Sequence, residues 1–435
     1  MRRQRSPILL VHPPVVKPCE PPAGIARLLG ALNHHGVPCT AVDLNMEALL
    51  SIMKGSVGPT DRWTRRAVRN LSTNLSRIRN RDLYQGIDRY LRTVQDLNRV
   101  LEMSLPSGDV RLSLVNYQHR ELAPVRSDDL LRAAEAPEMN PFFPYLQERL
   151  SQIIESQAPA MTGVSLNYLS QALCTFAILG FLRRTCPEIT LVLGGGLVTS
   201  WMRRPGWKDP FTGLVDHLVS GPGEQVLLSL CGIDDPMRAR SIPSYEFVSE
   251  IVPAGRPFQN GAVPAMSDHA SSPPATPDSR HGNTYLSPGF ILPYSSSNGC
   301  YWGKCAFCPE RAEGNPYEPI PVCEATKEVR VLGRKTHPVM LHILDNAMTP
   351  RLLKAFTGDP PGIPWYGFAR VTTHLADEDF CVALKHSGCT MLQLGIESGD
   401  QSVLDREQKG INLEVVSRAL KNLRKAEIAA YVYLL

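Results

Sequence analysis

Three cysteines crowd one short stretch, Gly299-Cys300-Tyr-Trp-Gly-Lys-Cys305-Ala-Phe-Cys308-Pro309. The spacing is C-x4-C-x2-C, and the stretch follows an apolar run and a Ser/Asn/Gly loop. Three thiolates on one loop can ligate three irons of a [4Fe–4S] cluster and leave the fourth iron open to a substrate or cofactor. Zinc is the competing occupant, but a structural zinc site takes four ligands, commonly from paired knuckles. Cys323 lies 15 residues beyond Cys308 and brings no second cysteine with it. A chance cluster of buried thiols is the third reading.

Further polar residues stand where strands end. Asp345 and Asn346 close one apolar run, Arg370 closes the next, and Gln393-Leu-Gly-Ile-Glu-Ser-Gly399 closes a third. In an alternating β/α chain, polar residues at the C-terminal mouths of strands belong to the active site more often than to the stability of the fold. Arg370 is a candidate for a carboxylate, which a guanidinium matches bidentately.

The elements that must position these residues alternate. Strands are expected at Leu292–Ser296, Val339–Asp345, Trp365–Val371, Met391–Ile396 and Ala429–Leu434. Helices fall between them at Glu324–Gly333, Pro350–Phe356, Asp377–Ser387 and Leu413–Ala426. This is the rhythm of a β/α barrel, here a partial one that stops after its fifth strand.

The N-terminal part has the same rhythm. Ile8–Val11, Thr40–Leu44, Met161–Leu166, Ile189–Leu193 and Val215–Val219 read as strands of a doubly wound parallel sheet. Apolar residues at Ile25, Leu28, Leu29 and Leu32 predict a helix over Ala23–Asn33, ended by Gly36. Ser165 and Gly194-Gly195-Gly196 end two adjacent strands, where such sheets bind ligands. The sheet is interrupted by an insert over about 46–159. Its Asp61–Met103 stretch reads as amphipathic helix with a solvated arginine-rich face. The expected domains are 1–231, a Pro/Ser-rich linker over 232–289 with Ser271–Asp278 as mobile surface, and 290–435.

The cysteine loop resembles the signature of the radical S-adenosylmethionine (SAM) superfamily, CxxxCxxC with an aromatic residue before the last cysteine. Phe307 takes the aromatic place, and one extra residue separates Cys300 from Cys305. Gln393–Asp405 with Lys409-Gly410 resembles the fourth-strand segment of the same enzymes, and Glu397 falls 97 residues after Cys300. The N-terminal Leu10-Val-His-Pro-Pro14, Pro21–Ile25, Val164–Tyr168, Gly194–Gly196 and Val219–Glu224 resemble the cobalamin-binding domain of one branch of the superfamily. The histidine motif that ligates cobalt in many cobalamin proteins is absent, and Asp43-Leu-Asn45 has no histidine two residues on.

The resemblance implies a flavodoxin-like domain followed by a radical SAM barrel. It implies a [4Fe–4S] cluster on Cys300, Cys305 and Cys308, with SAM near Phe307, Arg370, Glu397 and Ser398. Cobalamin would sit near Ser165, Gly194, Gly195 and Gly196. The implied activity is reductive cleavage of SAM to a 5′-deoxyadenosyl radical, with methyl transfer as the outcome if cobalamin is bound. The implied partners are a small-molecule or peptide substrate and an external flavodoxin- or ferredoxin-type electron donor. A non-catalytic cobalamin or iron–sulfur protein with an unfinished barrel is the alternative.

Composition excludes other classes. The 435 residues are 43% hydrophobic, enough for a core and against a mainly disordered chain. Lys+Arg 46 less Asp+Glu 42 gives +4, which disfavours a nucleic-acid-binding protein that would join zinc to the arginine-rich helix. Apolar runs fall far short of the ~20 residues of a membrane span. The basic start is followed only by Pro7–Val11, too short for a secretion signal. Eleven cysteines, an odd and sparse count, indicate a reducing, cytoplasmic setting.

Overall fold

The computed structural model describes residues 7–55, 61–105, 108–233, 245–247 and 284–435. The Ser271–Asp278 stretch lies outside the described residues. The chain divides into two compact units. The first holds Met1–Cys19, Gly24–Val198 and Pro210–Pro288, and the second holds Glu20–Ala23, Thr199–Asp209 and Gly289–Leu435.

The first unit is built on five parallel strands: β1 (Ile8–His12), β2 (Cys39–Asp43), β5 (Met161–Ser165), β6 (Thr190–Gly194) and β7 (His217–Leu218). Their spatial order is β2-β1-β5-β6-β7. Every residue of β1 is buried, as expected of a parallel strand covered on both faces. The helix Ala23–His34 lays Ile25, Leu29 and Leu32 on Ile8, Leu10, Val192 and Val219. Burying such a side chain fully is worth about 1.5–3 kcal/mol. Gly36, at φ +64°, turns the chain out of that helix.

The insert attaches through the helix Leu44–Lys54. Asp43 caps it by accepting from the Met46 N–H at 3.1 Å. Glu47, fully buried on this helix, accepts from Arg149 Nε at 2.9 Å and Tyr145 Oη at 2.7 Å. Asp61–Met103 is not one continuous amphipathic run. It breaks into helices Arg62–Arg69, Leu71–Arg77 and Ile87–Met103 with a 3-10 turn at Arg81–Gln85. Nor is its basic face wholly solvated. Arg66 pairs with Asp96 at 2.8 Å, Arg99 with Asp61 at 2.8 Å, and Arg79 donates to the carbonyls of Thr284 and Tyr285. A two-stranded ribbon, β3 (Val110–Leu112) with β4 (Tyr117–His119), follows. Helices Ser127–Glu135 and Phe143–Gln157 complete the insert.

The second unit holds β8 (Ile291–Tyr294), β11 (Met340–Met348), β12 (Trp365–Ala369), β13 (Cys389–Glu397) and β14 (Ala429–Leu434). All pair in parallel, and their spatial order follows the sequence. Helices Val322–Thr336, Pro350–Gly358, Glu378–His386 and Leu413–Lys425 link successive strands from β8 onward. Side chains alternate between faces. Leu341, Ile343, Trp365, Leu392 and Leu394 are buried on one face, with Trp365 edge-on to Phe356 at 5.3 Å. His342, Tyr366, Phe368 and Gln393 occupy the other and are half-buried. Between β8 and the Val322–Thr336 helix, β9 (Ser297–Asn298) pairs antiparallel with β10 (Glu318–Pro319). Among the described residues no helix is long and apolar enough to cross a membrane.

Candidate functional site

The β9–β10 pair closes a loop, residues 299–317, that carries all three clustered cysteines. Gly299 opens it at φ +71°, and a Cβ there would lie 2.3 Å from the Pro316 carbonyl oxygen. Only glycine allows that approach beside Cys300. Cys308 N–H donates to the Cys305 carbonyl at 3.2 Å, and the short helix Pro309–Ala312 starts at once.

The loop is fastened to the segment after β13. Ala306 N–H donates to the Glu407 carbonyl at 2.9 Å, and Trp302 Nε1 donates to the Gln408 carbonyl at 3.1 Å. Arg311 Nη1 donates to the Lys304 carbonyl at 2.6 Å and to the Gln408 side chain at 2.9 Å. Gly410 leaves room for Trp302, whose ring carbon would lie 2.1 Å from a Cβ at that position.

Arg370, just past β12, is 8% exposed and committed to this assembly. Its guanidinium lies 4.1 Å over the Trp302 ring, donates to the Lys409 carbonyl, and reaches Cys305 Sγ at 3.8 Å. Lys409 Nζ lies 5.6 Å from the Phe307 ring centroid and 2.7 Å from Glu397 Oε1. Burial, reinforced by the neighbouring Cys305 and Cys300, pushes the Cys308 thiol up. The donor set is three thiols, with the Arg370 guanidinium against Cys305 Sγ, which fits an anionic iron–sulfur cluster. Among the described residues no three His, Cys, Asp or Glu side chains converge on one metal ion. Thiolates that each bind a different iron do not need to.

The structure thus gathers Cys300, Cys305, Cys308, Phe307, Arg370 and Glu397 around one loop. Ser398 stands apart in the turn after β13, where its Oγ accepts from the Asp400 N–H at 3.1 Å. Asp345, the strand-end candidate on β11, is engaged by backbone at the start of the loop. It is 3% exposed and accepts from the Ser296 and Ser297 N–H groups at 2.6 and 3.2 Å, tying the start of the loop to β11. Burial raises its carboxyl pKa. Trp302 was not singled out by sequence reasoning, and Lys409 entered only as part of the Lys409-Gly410 motif. The adjacent cysteines and the Lys409-Gly410 pair were the available signal.

In the first unit, Ser165 and Gly194 end neighbouring strands and pair in register. Asn167 bridges them, donating to Ser165 Oγ at 3.0 Å and accepting from the Gly196 N–H at 2.9 Å. Gly195, at φ +112°, is required by the Leu166 backbone, which a Cβ would approach to 2.3 Å. Gly196 is open, with nothing nearer than 3.7 Å to an added Cβ. His12 ends β1, is 5% exposed, and its Nδ1 has no hydrogen-bond partner. An open glycine and an orphaned buried polar atom at the strand ends fit a ligand site.

Residues 294–435 match the model of the radical SAM superfamily. No curated protein matches the sequence significantly. Two of the solved structures that share the fold are informative. One is the radical SAM methyltransferase TsrM from Kitasatospora setae, with cobalamin and a [4Fe–4S] cluster bound, at TM-score 0.54 and 16% identity over 99% of this chain and 69% of that one. The other is the cobalamin-dependent SAM radical enzyme OxsB with aqua-cobalamin bound, at TM-score 0.54 and 12% identity. It is matched over 99% of this chain, which spans 49% of the OxsB chain.

Proposed function

We propose that the chain, whose residues 294–435 match the radical SAM family model, is a radical SAM enzyme holding a [4Fe–4S] cluster on Cys300, Cys305 and Cys308. The observation that carries this reading is the cysteine loop fastened to the segment after β13, with Arg370 donating to Cys305 Sγ. When bound, the cluster supplies the electron that cleaves SAM and yields a radical able to take a hydrogen atom from substrate.

The protein's own residues hold and screen. Trp302 and Arg370 brace the loop, and Phe307 covers Lys409. The Glu397–Lys409 pair, with side chains 13% and 8% exposed, fixes the end of β13, which rests against the loop. Arg370 braces the loop through two of its five N–H groups, on Cys305 Sγ and the Lys409 carbonyl, which leaves donors for the SAM carboxylate. Glu397 and Ser398 remain the polar groups offered to SAM at the end of β13. The sequential parallel order of β8 and β11–β14 supports a partial (β/α) barrel.

The first unit is read as a cobalamin-binding domain. Its strand order, 2-1-3-4-5 when numbered along the sheet-forming strands, is that of flavodoxin-like sheets, which bind ligands at the carboxyl ends of the strands. Ser165, Asn167 and Gly196 lie at those ends, and the folds of TsrM and OxsB support the same reading. Methyl transfer is the reaction outcome that combination favours, with an external one-electron donor as partner.

The test is anaerobic incubation of cluster-loaded protein with dithionite and SAM, followed by chromatography. 5′-Deoxyadenosine or methylated product above the Cys305→Ala background is expected. Intact SAM after many hours with a full cluster would overturn the enzymatic reading and favour a non-catalytic protein.

A further inference from the structure

One face of the second unit's sheet, half-buried apart from the exposed Tyr431, brings aromatic rings and polar groups together. His342, Tyr366, Phe368, Gln393, Tyr431 and Tyr433 share it by strand alternation and register. His342 stacks on Tyr366 at 4.3 Å and 10°, and its Nδ1 is held by Glu20 at 2.9 Å. Phe368 stacks on Tyr433 at 4.9 Å and 26°, and Tyr431 joins them at 4.9 Å. Gln393 sits between Phe368 and Tyr431 in cross-strand register. Its half-buried amide makes no hydrogen bond among the described residues.

The same strands run up to the cysteine loop. Arg370, two residues beyond Phe368, touches Cys305 Sγ, and Glu397 lies four residues beyond Gln393. The face is therefore continuous with the site already described. A small-molecule site is an apolar, often aromatic wall with a few polar groups that set orientation, and this face has that make-up. Flat rings favour a flat partner, since aromatic pairs gain beyond their buried area. A primary amide offers both donors and an acceptor.

We propose that the substrate is a planar aromatic compound with an amide-like donor–acceptor edge, its ring laid against the Phe368–Tyr433 stack and its polar edge on Gln393. The proposal rests on the radical SAM reading for calling this compound a substrate; the binding itself does not.

The experiment is equilibrium dialysis of the full chain, reconstituted with iron and sulfide, against 2-naphthamide and its saturated counterpart decahydro-2-naphthamide. Iron content is measured on the same samples. A preference of about tenfold for 2-naphthamide is expected. Phe368→Leu should abolish the preference. Gln393→Leu, a milder change, should weaken 2-naphthamide about tenfold while leaving naphthalene unchanged. Equal binding of the two amides, or undiminished binding in folded Gln393→Leu protein, overturns the proposal. Aromatic-selective binding by protein that takes up no iron would support the face and overturn the radical reading instead.

Discussion

Two glycines of the cysteine loop offer a controlled comparison. Gly299 and Gly303 both have positive φ, +71° and +59°. Replacing either by alanine forces a left-handed L-residue, at about 1–2 kcal/mol. Their surroundings differ. A Cβ on Gly299 would lie 2.3 Å from Pro316 O and 3.0 Å from Pro316 C, while one on Gly303 would meet nothing nearer than Cys300 O at 3.6 Å. The Gly299 overlap is with backbone, so no rotamer relieves it, and such overpacking costs about 1–3 kcal/mol more. At 1.4 kcal/mol per tenfold, Gly299→Ala should hold its cluster about 5- to 150-fold less tightly than Gly303→Ala. The assay is anaerobic chelator titration followed by the cluster's charge-transfer absorbance. Equal chelator midpoints for the two variants would refute the claim that the β9–β10 closure positions Cys300.

Three further outcomes follow from the first unit. Burial pushes the Asp43 carboxyl up to about 6, although the Met46 N–H and the Tyr285 hydroxyl lower it, so the folded state keeps a proton that the unfolded chain releases near 3.8. That contribution weakens as pH rises from about 4 to 6. His12, its register partner on β1, is pushed by burial down to about 3, so its contribution grows as pH rises toward 6.5. The two slopes oppose each other between pH 4 and 6. Urea unfolding of the first unit should show Asp43→Asn gaining stability with pH by up to about 1.4 kcal/mol per unit, and His12→Gln losing it; parallel profiles would contradict both assignments. Arg149→Met leaves the Glu47 charge buried and unpaired, so unfolding free energy should fall by about 3–5 kcal/mol, with partial recovery in the Glu47→Gln/Arg149→Met double variant. Full stability of the single variant would show that the pair contributes nothing.

How much was legible in the sequence depended on how local the signal was. β1 and β14 were readable because apolar or alternating residues fill one short run between turn residues. The helix Gly196–Met202 was missed because a glycine triplet suggests a loop, whereas here Gly195 makes the turn and Gly196 starts the helix. The arginine-rich stretch read as one helix because its apolar period persists; it breaks at Asn70, which ends one helix and opens the next, and at Asn80, whose side chain accepts from the Asp82 N–H. For Asp345, position at a strand end does not say which way the carboxylate turns. It turns toward the Ser296 and Ser297 amides. The cysteines were legible outright. The brace of Trp302 and Arg370 was not, since it joins residues 68 apart in the chain.

The central claim is that Cys300, Cys305 and Cys308 hold a cluster with one iron open to SAM. The most direct measurement is electron paramagnetic resonance of anaerobically reconstituted, dithionite-reduced protein with and without SAM, beside the Cys300/Cys305/Cys308→Ala triple variant. The account predicts a [4Fe–4S]⁺ signal that shifts when SAM is added and is absent from the variant. A signal indifferent to SAM, or iron retained by the triple variant, would contradict it.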